Sequence, residues 1–239
     1  MRILVINPNS SVEMTESIRD ALERIKRKDT DAEVVRLEDA PISIESATDG
    51  AMSVPALLER VRWANRERFD AVIIACFSDP GLEPAREVSE VLVLGIQQTT
   101  LAVATMLGHK YTILTPLSSR IASKEQDVRR FRLDASCASV RALDLSVSQT
   151  EEDPELTKRR VKEVARAAIE QDGAEIVILG CAGMVGYAEE LEKELGIVVL
   201  DPTTVTFKMA EALADIEISH SKRALYANPP MREGGGAAA

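Results

Sequence analysis

The sequence predicts an α/β protein built as two pseudo-symmetric β/α lobes with mainly parallel central sheets. Three observations predict it. Asp70-Ala-Val-Ile-Ile-Ala-Cys76 is followed five residues later by Gly81, and Glu175-Ile-Val-Ile-Leu-Gly-Cys181 by Gly186, at a common offset of 105. Other segments echo in the same order: Asn7-Pro8-Asn9-Ser10-Ser11 with Thr115-Pro116-Leu117-Ser118-Ser119 at 108, and Val91-Leu-Val-Leu94 with Ile197-Val-Val-Leu200 at 106. Each copy alternates short β-branched runs with helically spaced stretches, as parallel sheets buried on both faces require. The boundary falls near residue 98. The first lobe is read as 1–97 plus 206–227 and the second as 98–205, with a disordered tail at 228–239, where Gly234-Gly235-Gly236-Ala-Ala-Ala has nothing to bury.

Taken in order, Ile3 to Ile6 reads as a strand that ends in the polar loop Asn7 to Ser11, where a helix cap is available. Met14, Ile18, Ala21, Leu22 and Ile25 follow helical spacing. Val34 to Leu37 is a second strand, Ala40 to Met52 a loop rich in Ser, Pro, Asp and Gly, and Leu57 to Phe69 a helix leading into the Cys76 strand. Asp79-Pro80 and Glu83-Pro84 suit a helix start, and Val91 to Ile96 is a strand. The second copy runs through strands at Lys110 to Leu114 and Val140 to Asp144. A helix carrying Val161, Val164, Ala165, Ala168 and Ile169 then precedes the Cys181 strand, and Ile197 to Leu200 follows it. Asp201-Pro202 opens a last amphipathic helix with Val205, Met209, Ala212, Leu213 and Ile216, expected to return to the first lobe.

Composition excludes several function classes. Aromatics are only 3% of 239 residues, so the core is built from Val, Ile, Leu and Ala. The net charge is −10 with no basic run, so neither nucleic acid nor an acidic membrane surface is an expected partner. The longest apolar run, Ala71 to Phe77, is far too short to span a bilayer. The start, Met-Arg-Ile-Leu-Val-Ile, lacks a signal-peptide pattern. A cytoplasmic protein is the default expectation, in which the three cysteines are free thiols.

A thiol at the carboxyl end of a parallel strand stands where open α/β sheets keep their chemistry. Two at matched places suggest one site with a sulfur on each side, although repetition alone equally permits two lobes with separate mouths. The segments Asn7-Pro8-Asn9-Ser10-Ser11, Ala75-Cys76-Phe77-Ser78-Asp79-Pro80-Gly81-Leu82 and Gly180-Cys181-Ala182-Gly183-Met184 resemble those of the aspartate/glutamate/hydantoin racemase superfamily, most closely its hydantoin and allantoin racemases. The resemblance extends to about residue 216. It implies a site in the cleft between the lobes, no cofactor, no metal, a homo-oligomer, and a thiol/thiolate pair, Cys76 and Cys181, acting as acid and base. It also marks a departure: many relatives carry an acidic residue after the Gly-Ile at 95–96, where Gln97 and Gln98 stand here.

Inverting a carbon acid requires removing a proton from one face and returning one to the other, which two opposed groups accomplish without turning the substrate. A free thiol titrates near pH ~8.5, so holding a thiolate at pH 7 costs about 2 kcal/mol. Helix N-termini and backbone N–H groups after the strands are expected to supply that stabilisation, with Gly81, Gly183 and Gly186 allowing close backbone approach. Substrate and its developing enolate are expected to meet Asn7, Asn9, Phe77, Ser78, Thr115, Ala182 and Gly183. By the same resemblance, amino-acid racemases follow their cysteines with polar pairs such as Asn-Thr and Thr-His. Here Phe77-Ser78 and Ala182-Gly183 fit a neutral ring amide better, making a 5-substituted hydantoin or allantoin the leading small-molecule substrate.

Plainer readings compete. A single strand-end cysteine is commonly a packed small hydrophobe, and Cys137, without a counterpart in the repeat, is read as structural. Asn7 and Asn9 also suit helix capping, Ser10 and Ser11 are better caps than ligands, and Thr115 also suits a turn. His109 and His220 lie outside the motifs and are expected to face solvent. Gly180-x-x-Gly183-x-x-Gly186 lacks the core of a dinucleotide loop. Two rival functions remain: an amino-acid racemase or maleate-type isomerase on the same scaffold, and a non-catalytic small-ligand-binding protein.

Overall fold

The computed structural model describes residues 1–230, and the tail expected at 228–239 lies outside the described residues from 231 onward. Two four-stranded parallel sheets form the molecule. Strands β1 (Arg2–Asn7), β2 (Asp31–Arg36), β3 (Ala71–Ile74) and β4 (Leu92–Gly95) take the order β2-β1-β3-β4. Strands β5 (Tyr111–Thr115), β6 (Cys137–Ala142), β7 (Ile176–Leu179) and β8 (Val198–Leu200) take β6-β5-β7-β8, the same order one copy later. The helices are α1 (Val12–Ile25), α2 (Ala47–Arg66), α3 (Leu82–Val88), α4 (Ile96–Leu107), α5 (Ile121–Arg130), α6 (Val147–Glu152), α7 (Pro154–Asp172), α8 (Ala188–Leu195) and α9 (Pro202–Asp215).

Side-chain alternation sorts the core. Ile3 and Val5 of β1 join the larger core with Ile18 and Leu22 of α1 and Phe207 of α9, which continues into Ile113, Ile176 and Ile178 of the second sheet. Leu4 and Ile6 point to the opposite face, into a smaller core with Leu57 and Val61 of α2. Helices α4 and α9 pack on each other; α9 also reaches β3, β4 and α1, while α4 touches β7.

Several elements differ from the sequence expectation. Strand β2 begins at Asp31, because parallel pairing with β1 carries its register back to Arg2. Helix α2 starts at Ala47, inside the stretch read as a loop to Met52. A reciprocal cap explains the early start: the Ser46 hydroxyl accepts from Asp49 N–H at 3.1 Å, and the Asp49 carboxylate accepts from Ser46 N–H at 2.9 Å. Helices α4, α5, α6 and α8 occupy stretches to which the sequence reading above assigns no element.

Candidate active site

Strands β3 and β7 are interior strands of their sheets, and each delivers its cysteine just past its carboxyl end. Cys76 Sγ lies 3.2 Å from Ser78 Oγ, and Cys181 Sγ accepts from the Gly183 N–H at 3.4 Å. Both thiols line one cavity between the lobes, with about 50 Å³ of free space, the room of a few water molecules. Asn9, Phe77, Ser78, Thr115 and Ala182 line the same cavity.

Asn7 and Gly183 sit behind that lining. Asn7 is fully buried, and its Nδ2 donates to Asn9 Oδ1 at 2.8 Å and Thr15 Oγ1 at 3.1 Å, so it orients Asn9. The buried N–H of Gly183 is directed at Cys181 Sγ, and a Cβ at 183 would come within 2.9 Å of Thr150 Oγ1. Ser11 caps α1, accepting from Met14 N–H at 3.0 Å.

Each cysteine loop is tied to the helix that follows the next strand by a buried carboxylate. In the first lobe Asp79, at φ +44°, accepts from the N–H groups of Gln97 at 2.9 Å and Gln98 at 2.8 Å, capping α4 from outside. The residue at the cap position is Gly95, where a Cβ would fall 2.3 Å from the Asp79 carboxyl carbon. In the second lobe the cap residue itself, Asp201, supplies the carboxylate. It accepts from Thr203 at 2.9 Å and Thr204 at 3.3 Å, and reaches back to the cysteine loop at Gly186, 2.8 Å away.

The electrostatics correct one expectation. Burial pushes both thiols up: Cys181 to about 12, and Cys76 also above its ordinary value. Helix N-termini do not offset this, since only a three-residue 3₁₀ turn, Ala182–Met184, follows Cys181, and α3 does not begin until Leu82. The surroundings of the two sulfurs differ. Cys76 is favoured as an anion by the Ser78 hydroxyl, the Lys124 ammonium and the Ser78 N–H, against Asp79. Cys181 has the Gly183 N–H and Thr150 hydroxyl in its favour, but Cys76 and Glu151 oppose its ionisation. Glu151 is itself pushed up to about 7, chiefly by burial.

Three charged lining residues escaped the sequence reading: Glu45, Arg120 and Lys124. Glu45 falls in the stretch read as a loop, and Arg120 and Lys124 fall in a polar stretch that reads as surface. Glu45 Oε1 accepts from Val147 N–H at 2.9 Å, joining the loop before α2 to the start of α6 across the cavity mouth. Cys137 is half-buried on β6, its thiol pushed up to about 11 by burial. His109 is exposed, whereas His220 is half-buried and accepts from Val93 N–H at 2.7 Å, so it serves the β4 edge and not solvent. Among the described residues, no grouping of three or more His, Cys, Asp or Glu could hold a metal ion, and no helix is long and apolar enough to cross a membrane.

Comparison with known proteins agrees with this geometry. A family model described as Asp/Glu/Hydantoin racemase matches residues 3–210. The chain is 38% identical over 236 residues to a hydantoin racemase of Rhizobium meliloti, covering 99% of this chain and 98% of that protein. Among solved structures it is similar to an allantoin racemase from Klebsiella pneumoniae (TM-score 0.94, 32% identity, 99% of this chain and 96% of that one). It is also similar to an allantoin racemase from Pseudomonas fluorescens (TM-score 0.93, 32% identity, 99% and 100%).

Proposed function

From the premise that this chain belongs to the Asp/Glu/hydantoin racemase family, we propose that it is a cofactor-independent racemase of 5-substituted hydantoins or allantoin, with Cys76 and Cys181 as its acid/base pair. One sulfur, as thiolate, takes the proton from C5 of the ring. The electron pair of that C–H bond moves onto the adjacent carbonyl, giving an enolate. The opposite sulfur, as thiol, then returns a proton to the other face, and the two sulfurs end the turnover with exchanged protonation states. Asn9, Ser78 and Thr115, all lining the cavity, supply hydrogen-bond donors for the ring and its enolate oxygen. Phe77 and Ala182 give the ring apolar walls.

The observation that carries this reading is that two thiols from matched loops of the two lobes border a single small cavity. The test is exchange of the C5 hydrogen for solvent deuterium, followed by NMR on each enantiomer with a chelator present. The parent is expected to exchange and racemise both enantiomers. Folded Cys76→Ser and Cys181→Ser variants should lose racemisation by about 10²–10⁴-fold, each keeping residual exchange with one enantiomer only. Racemisation at the parent rate in both variants ends the proposal. Activity on free aspartate or glutamate but not on hydantoins transfers it to the amino-acid racemases, and saturable binding without exchange to a binding protein.

A further inference from the structure

We propose that Lys124 is the positioning residue that makes Cys76 the more readily ionised of the two sulfurs, so that Cys76 is the first to give up its proton and Cys181 remains the thiol. This rests on the two-thiol reading above and adds to it an assignment of roles.

Lys124 belongs to α5 of the second lobe, yet its ammonium is spent on the cysteine loop of the first. The residue is 4% exposed, it lines the cavity, and its Nζ donates to the Phe77 carbonyl oxygen while standing 5.3 Å from the Phe77 ring centroid. An ammonium has three N–H donors, and a buried cation needs an anion nearby. Burial pushes the Lys124 ammonium down, and four charged or titratable groups face it: Cys76 and Asp79 from the first lobe and Asp127 one turn along α5, which support its charge, and Arg120, which opposes it. Both oxygens of Asp79 already accept from the N-terminus of α4. Asp127 accepts from Gln97 Nε2 at 3.1 Å and pairs with Arg130 at 3.8 Å. All three favour the ammonium, and the Cys76 sulfur does so most strongly, ahead of Asp127 and Asp79. Around Cys181 the facing groups are Cys76, Glu151, Thr150 and Gly183, none of them a cation. A negative charge placed on the sulfur pair is therefore far better accommodated at position 76, where burial of both charges together strengthens their attraction.

The experiment follows the titration of each thiol separately, by its rate of alkylation with iodoacetamide across pH, read by peptide mass spectrometry. It compares the parent with Lys124→Met, Lys124→Gln and Lys124→Arg, each first shown to be folded by circular dichroism. Removing the charge should raise the Cys76 midpoint by about 1–2 pH units, leave Cys181 where it was, and move the acid limb of kcat/KM by the same amount, with KM little changed. Lys124→Arg should titrate close to the parent. A Cys76 midpoint that stays put in the folded Met and Gln variants overturns the proposal, even if kcat falls, since Lys124 would then act on the enolate and not on the thiol. The titration needs no substrate: a shifted midpoint in a protein that racemises no hydantoin would sink the function proposed above and leave this assignment standing.

Discussion

The two lobes repeat one backbone and furnish it differently. Their strand orders coincide, and their cysteines follow equivalent strands. Yet the carboxylate tying cysteine loop to helix comes from the loop in the first lobe, as Asp79, and from the helix cap in the second, as Asp201. The edge strands diverge in the same way. Val93 N–H of β4 is accepted by His220, and its counterpart Val199 N–H of β8 by the Glu192 carboxylate at 3.1 Å. Beside one sulfur stands a lysine, beside the other a glutamate. The difference teaches that backbone repetition is enough to oppose two thiols, while unequal neighbours assign them unequal work.

Four measurements can break or sharpen this contrast. The largest effect is expected from Gly95→Ala, which drives a methyl group into the Asp79 carboxylate. It should cost about 3 kcal/mol in urea denaturation, from overpacking and a lost helix cap. A cost under about 1 kcal/mol would mean the Asp79 link bears little load. Next, alkylation of the parent at pH 8 should modify Cys76 about 100-fold faster than Cys181, because Cys181 is the more buried thiol and has no cation facing it. Equal rates would erase the asymmetry.

A smaller, pH-dependent difference is expected at the sheet edges. Burial, then the charges of Arg86 and Lys222, hold His220 down at about 4 against an ordinary value of 6.5. The unfolded chain therefore binds the extra proton first as pH falls. Stability from this contact is full above pH 6.5 and is lost as pH drops through 4. Allowing for the half-exposed ring, the loss is about 1–2 kcal/mol, and His220→Ala should abolish that part of the acid dependence. The smallest effect is expected from Glu151→Gln. Removing that negative charge should ease ionisation of Cys181 and raise its alkylation rate about threefold above pH 7, where Glu151 is charged in the parent. A slower rate would reverse the sign assigned to Glu151.

Much of the fold was legible because parallel strands buried on both faces are written as dense apolar runs, and repetition made each pair of runs corroborate the other. The cysteines were legible for the same reason. Helix α2 was not read to its start, since Ser46 and Asp49 look like loop residues until their reciprocal bonds are seen. Helix α5 is strongly polar, so Lys124 reads as one more surface lysine. Its spacing from Ile121 and Val128 puts it on the inward face of α5, but a lysine there is not read as buried until the tertiary packing is seen. Asn7 lay in the right segment but one layer too deep, because spacing along a loop does not tell which side chain reaches a cavity and which props its neighbour.

Helices α4 and α9 each close one lobe while resting on the sheet of the other. Such a connection is that of a swapped pair whose members have been joined end to end, here through Gly108-His109-Lys110. Neither half owns the whole of the larger core. A backbone nick in this joint should leave fragments that stay clasped and co-migrate, and each fragment expressed alone should fail to form a well-packed globule.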